Sequence, residues 1–347
     1  MGQRSKKYWE DRSNERMAAI HKDSDKTIAA VNAAYDKAIQ ELNDDINDIF
    51  VNFMIGSEIS PQEAQRLLNA KIPNPLLRIF KRILPRIKND SIKKFLLARL
   101  NVNAYKARIT RLEALKESIY INSKQIADAE LYLSTQGYIN TIKQSYYKNI
   151  FDIQQGLNIG FSFATMPMGT IEEILKNNWS GKHYSKRIWD NTDALASKLE
   201  EVITSGVMQG KNSRKMATEI QDMTDYGKFA AERLIRTETT YFTNESEQQT
   251  YEECGIKKYI FVATLDTRTS PQCRAHDNKV YNVSQRQTGV NVPPLHTYCR
   301  STTAAYFGKE TMENLTRRAR DPDTGKTYVI KNMNYNEWYQ KYVEAKS

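Results

Sequence analysis

Only three of the 347 residues are cysteine, so a scaffold built on disulfides is excluded. No stretch approaches the roughly 18 uninterrupted apolar residues of a membrane span. The start, MGQRSKKYWEDRS, has no apolar core of a signal peptide, which leads us to expect a reduced, cytosolic folding compartment. No internal repeat is visible, and no Walker, Rossmann or nucleophile-elbow pattern is present. Histidine is scarce at four residues, and His21 and His183 have no partners in sequence. Acidic side chains are outnumbered, 41 against 51 lysines and arginines, giving a net charge of +10. That balance favours an acidic partner, most simply nucleic acid, but says nothing about fold or sequence specificity.

The length suits two or three domains. From Ile28 the apolar positions Val31, Tyr35, Ile39, Leu42, Ile46, Ile49 and Phe53 advance by three and four and predict one helical face, which Gly56 should end. Ser60-Pro61-Gln62-Glu63 predicts a capping box opening the next helix. Residues 71–99 are basic and amphipathic. Arg78, Lys81, Arg82, Arg86, Lys88, Lys93 and Lys94 are candidates for DNA contact, with Asp90 as the only counter-charge nearby in sequence. A helix pair with a solvated basic face, or an element lying on a membrane surface, explains the same pattern. Helical periodicity continues to about Gln155, where tyrosines read as a helix–helix interface. The segment 156–170, containing Gly, Met and Phe and poor in charge, reads as a linker or a short extended segment opening a second domain. Helices follow over Asp190–Val202, after Ser213 and over Lys228–Glu253, with Gly255 placed to cap the last.

Then the period switches. Lys258–Leu265 is the clearest strand, and Lys279–Val283 reads as a second. Between and after them stand Cys273-x-x-His276 and His296-x-x-Cys299, two thiolate–imidazole pairs at turn spacing. Four such ligands suit a structural, tetrahedral zinc, with Asp266 or Asp277 as oxygen alternatives. A metal-free packed turn with reduced cysteines is the competing reading. Arg236, Thr237 and Glu238 suggest a structural Arg–Glu pair on the long helix, against a catalytic carboxylate that has no partner base in any motif. Asp266 and Arg268 fit turn chemistry. The tail, RDPDTGKTYVI then NYNEWYQKYV, reads as a hairpin or loop followed by a short terminal helix.

Linked motifs run in order through this half: Trp179–Trp189 (WSGKHYSKRIW), Leu234–Thr240 (LIRTETT), Gly255–Tyr259 (GIKKY), Asp266–Cys273 (DTRTSPQC) and Gly289–Arg300 (GVNVPPLHTYCR). In this the region Trp179 to about Phe307 resembles the Mu F-like phage head morphogenesis family. The sequence departs from it at Ser270, where the family often has Cys, at Asn278, where it has Gly, and at His276, where it has an apolar residue. Cys273, His296, Cys299, Asp277 and Arg300 follow the pattern.

The resemblance implies a virion protein of a tailed phage or prophage, made in the host cytoplasm and placed in the capsid interior at the portal vertex. Its implied partners are the portal protein and capsid or scaffold proteins, and its implied roles are head assembly and DNA ejection. With the charge balance added, double-stranded DNA becomes a non-specific partner. The expected architecture is a mostly α N-terminal region (1–155), then a small α+β domain (156–310) with a zinc-stapled β-segment, then a tail (311–347). No stable membrane insertion is expected. A metal-dependent nuclease or transferase delivered by the phage is the alternative, with no complete catalytic constellation to support it.

Overall fold

The computed structural model describes residues 6–50, 60–103, 108–157, 166–209, 211, 213–308, 316–320, 327–331 and 333–344. The helix stop at Gly56 and most of the 156–170 linker lie outside them. The rest is mostly helix, with a small sheet near the C-terminus, as the sequence predicts. In chain order the helices are α1 (Lys6–Ile49), α2 (Pro61–Asn69), α3 (Leu76–Ile83), α4 (Asp90–Asn103), α5 (Arg111–Leu157), α6 (Met168–Lys176), α7 (Tyr184–Met208), α8 (Ser213–Glu253), α9 (Pro271–His276) and α10 (Tyr335–Tyr342). The chain forms two compact units. One comprises residues 27–135 and 184–232, the other residues 1–26, 136–183 and 233–347.

In the unit formed by 27–135 and 184–232, the predicted stripe of α1 is the core: Val31, Tyr35, Ile39, Leu42, Ile46 and Ile49 are all at most 4% exposed. Ser60 caps α2 with the full reciprocal capping box. Gly227, in the middle of α8, faces Tyr35 and Leu195, where an added Cβ would meet them at 3.0 and 3.2 Å. Close packing thus explains how α8 runs unbroken from Ser213, well before the start at Lys228 that the sequence suggests. Two three-residue strands that the sequence did not reveal, β1 (Lys71–Pro73) and β2 (Arg108–Thr110), pair antiparallel.

The basic stretch lies in this unit, and its counter-charges come from α1. Arg78 pairs with Asp48 at 2.5 Å, Arg82 makes a two-pronged contact with Asp45 at 2.9 Å, and Arg86 pairs with Glu41. Arginines four apart on one segment meet carboxylates three and four apart on another, so each matches a partner across the contact. Asp90 as the sole counter-charge is therefore corrected. Lys88 sits 3.6 Å from the centroid of the Tyr132 ring. Lys81, Lys93 and Lys94 are exposed, beside exposed Leu77, Phe95 and Leu97.

Deeper in the same unit, Tyr35 donates to Glu130 at 2.9 Å, and burial raises the Glu130 pKa to about 7. The carboxyl stays protonated in the folded state up to about pH 7 but ionises near 4.5 when unfolded. Its contribution to stability is therefore complete below about pH 4.5 and is lost as pH rises through about 7. Glu130→Gln should flatten that slope and stabilise the unit at pH 8 by on the order of 2–3 kcal/mol. Urea melts at pH 5 and pH 8 decide this; an unchanged slope would refute it.

The other unit carries the sheet. Strands β3 (Lys258–Val262), β4 (Val280–Asn282) and β5 (Thr302–Ala305) pair antiparallel in the order β4-β3-β5. β3 and β4 match expectation to within a few residues, whereas β5 was unforeseen. A hairpin of β6 (Thr316–Arg320) and β7 (Thr327–Lys331) precedes α10, as the tail sequence predicts. Beneath β5 lies a buried ionic group. Arg16 of α1 contacts Asp152 of α5, and Glu247 of α8 at 3.3 Å. Glu247 also accepts from Thr302 of β5 at 3.2 Å, and Ser13 of α1 donates to the Thr303 carbonyl at 2.9 Å. The interface reading holds for Tyr138 and Tyr146, both buried; Tyr138 packs 4.8 Å from Phe242.

Candidate metal centre

The chain leaves β3 through Ala263-Thr264-Leu265 into Asp266. This carboxylate is 2% exposed and organises the turn, accepting from the Arg268 backbone N–H at 3.0 Å and from Thr269 Oγ1 at 3.1 Å. Arg300 grips it with two donors, one at 2.8 Å. Burial would raise the Asp266 pKa, but the guanidinium outweighs it and holds the group below the usual carboxylate range. Arg268 enters through its backbone; its side chain is exposed.

Ser270 then caps α9, its Oγ accepting from the Cys273 N–H at 3.2 Å, with Pro271 in the first turn. Ser270 thus has a capping task. α9 points Cys273 inward at 1% exposure. Asp277 follows, accepting from the Ala263 N–H at 3.0 Å and the Tyr335 N–H at 3.1 Å, so it joins the end of β3 to the start of α10. Asn278 adopts φ +62°, a left-handed conformation that glycine or asparagine takes most readily, and the chain returns as β4.

The second arm arrives at His296 and Cys299. Two threonines of α8 hold it. Thr237 Oγ1 accepts from the Tyr298 N–H at 3.1 Å, and Thr240 Oγ1 donates to the Cys299 carbonyl at 2.7 Å. Thr240 escaped the sequence reading, although it closes the Leu234–Thr240 motif. The flanking members of that motif point elsewhere. Arg236 reaches Asp25 and, at 3.2 Å, Ser24, while Glu238 accepts from the Trp179 indole at 3.0 Å. Residues two apart on a helix do not face each other, and Arg236 and Glu238 anchor different segments through these contacts. The contact with Trp179 also joins two motifs 59 residues apart in sequence.

These supports bring Cys273, His296 and Cys299 together, with their ligand atoms all within 4.8 Å of one another. Cys273 Sγ lies 3.6 Å from Cys299 Sγ and 3.3 Å from His296 Nε2. His296 Nδ1 donates to the Thr297 carbonyl at 2.7 Å, so Nε2 is the ring nitrogen turned to the sulfurs. A hydrogen bond from the Cys273 thiol lowers the Cys299 pKa to about 6, while the same contact and burial push Cys273 up. The contact thus favours ionisation at Cys299 over Cys273, and the thiolate is the form that binds metal. Among the described residues this group of three can hold a metal ion. His276 stands outside it. Its Nδ1 is 2.7 Å from the Tyr281 hydroxyl and its ring packs 5.5 Å from Phe261. Its pKa is lowered by burial, then by Lys279. The spacing that nominates His276 is right, but the ring is engaged by Tyr281 and Phe261 instead.

Residues 197–304 match the sequence model of the family described as Phage Mu protein F like protein. Over 254 residues the chain is 27% identical to a protein of Enterococcus faecalis named NAD(+)–arginine ADP-ribosyltransferase EFV; the match covers 66% of this chain and 50% of that one. The chain thus spans about half the length of that relative. No solved structure matches it.

Proposed function

We propose, on the premise that residues 197–304 are a Mu F-like domain, that this is a minor head protein of a tailed phage or prophage that acts without catalysis at the portal vertex. The observation that carries this reading is how the motif residues are used. Thr237, Asp266, Asp277 and Arg300 each secure a turn, a strand end or one another around the Cys/His/Cys group, and Glu238 holds Trp179. Motifs used for positioning suit a rigid docking module. The helical region of residues 1–155 would meet the portal, and exposed Lys81, Lys93 and Lys94 would lie against packaged DNA through phosphate contacts alone.

Zinc fits the centre. Ligands about 2.0–2.3 Å from a tetrahedral ion stand roughly 3.3–3.8 Å apart, and the 3.6 and 3.3 Å separations fall in that range. Two thiolates and one imidazole would leave the fourth tetrahedral position to water or another donor, so the staple role rests on the two arms the ion would join, α9 and the His296–Cys299 segment. No helix among the described residues is long and apolar enough to cross a membrane.

Purified full-length protein should carry about one zinc per chain, lost in Cys299→Ser, and should co-purify with its portal protein. Exchanging Lys81, Lys93 and Lys94 together for Gln should reduce the salt slope of duplex binding by about three. Zinc-free protein that ignores the portal would sink the proposal. The name of the Enterococcus relative favours a second reading, ADP-ribosyl transfer to arginine. Label passing from NAD(+) to an arginine-rich acceptor in the presence of this chain would replace the first reading with that one.

A further inference from the structure

We infer that Cys273 and Cys299 are a reversible oxidation site, whose disulfide closes in metal-free protein and holds the same two segments that a metal would hold. Both are free thiols at 1% exposure, with their sulfurs 3.6 Å apart. A disulfide needs about 2.05 Å, so the sulfurs must close by roughly 1.5 Å, a movement within the reach of side-chain rotation. Each sulfur sits on a separately braced arm, α9 capped by Ser270 and the His296–Cys299 segment held by Thr240. The bracing keeps the pair aligned when no metal draws it together.

The surroundings select the product. Phe261, Ala263, Leu295 and Tyr281 pack around the two cysteines. Such walls penalise a charged sulfinate and tolerate a neutral disulfide. The third cysteine, Cys254, belongs to a different cluster, with Tyr251 and Ile256 at the end of α8, and serves as an internal reference.

The chemistry balances with a peroxide as oxidant. One thiol sulfur takes an oxygen from hydrogen peroxide, giving a sulfenic acid and one water. The other sulfur attacks it, the S–O bond breaks, and hydroxide leaves as water with the second thiol's proton. Two thiols lose two electrons in all, which the O–O bond accepts. A metal ion held by both sulfurs occupies the lone pairs that would attack, so metal should block the step. That protection rests on the metal reading above; the disulfide itself does not.

The test uses full-length protein stripped with chelator under reductant, desalted and exposed to equimolar hydrogen peroxide. Free thiols are then alkylated under denaturing conditions. The expected result is a mass lower by about 2 Da before alkylation, Cys254 alkylated while Cys273 and Cys299 are not, and recovery of all three by dithiothreitol. The oxidised form should melt roughly 5 °C above the reduced metal-free form. Neither Cys273→Ser nor Cys299→Ser should lose the 2 Da. A gain of about 32 Da at either site, a bridge to Cys254 or a bridge between chains would overturn the inference. Zinc added beforehand should keep all three thiols alkylatable after its removal. If the disulfide forms equally fast with zinc present, the metal reading fails and the oxidation site stands.

Discussion

Arg16→Ala should unfold the unit that carries the Cys/His/Cys group more readily than any surface substitution, with a loss of about 3–5 kcal/mol. Burial works against the Arg16 charge, yet Glu247 and then Asp152 more than offset it, and its pKa is raised. Burial likewise raises the Glu247 pKa, with Arg16 opposing. Removing the guanidinium leaves two carboxylates facing each other with almost no water; their side chains are 5% and 1% exposed. The loss should reach β5, because Glu247 also holds Thr302. Urea denaturation read at neutral pH and again near pH 5 checks the assignment. Protonation of the stranded carboxylates should return part of the loss at the lower pH. Adding Asp152→Asn and Glu247→Gln to Arg16→Met should return most of it at both. A loss under 1 kcal/mol for Arg16→Ala would mean that water reaches the group.

Trp338→Ala should cost a similar amount, about 3–5 kcal/mol, for a different reason. The ring is 0% exposed and packs with Leu265, Ala319, Ile330 and Tyr335. Leu265 lies between β3 and Asp266, and Arg274 of α9 stacks 4.2 Å over Tyr335. The cavity left by alanine would therefore open under the turn that positions Cys273. Trp338→Phe keeps most of the volume and should cost about 1–2 kcal/mol. Near-UV circular dichroism during denaturation follows the loss directly. Equal midpoints for the Ala variant and the parent protein would show that the tail packs loosely.

The sequence made most helices legible because their apolar spacing is regular, as along α1 from Val31 to Ile49. It also made β3 legible through its run of branched and aromatic residues. β5 was hidden because Thr302–Ala305 is short and lacks bulk; it is a strand because β3 and Glu247 hold it. The basic stretch was overread as free charge because its partners, Glu41, Asp45 and Asp48, stand some 30–45 residues upstream. Three members of the Cys/His cluster come together as their spacing suggests. His276 does not, since two-residue spacing constrains sequence distance and not ring direction. Thr240 needed the fold, because its hydroxyl meets Cys299 across 59 residues.

The contact between Ser13 and Thr303 spans 290 positions. Synthesis runs from the N-terminus at about 5–20 residues per second, so the first helix waits roughly 15–60 s for the strand it must grip. The segments 27–135 and 184–232 have both emerged by then. On the ribosome the Cys/His arms therefore lock only after those segments have emerged, and until they do their thiols are open to whatever metal or oxidant the cell supplies.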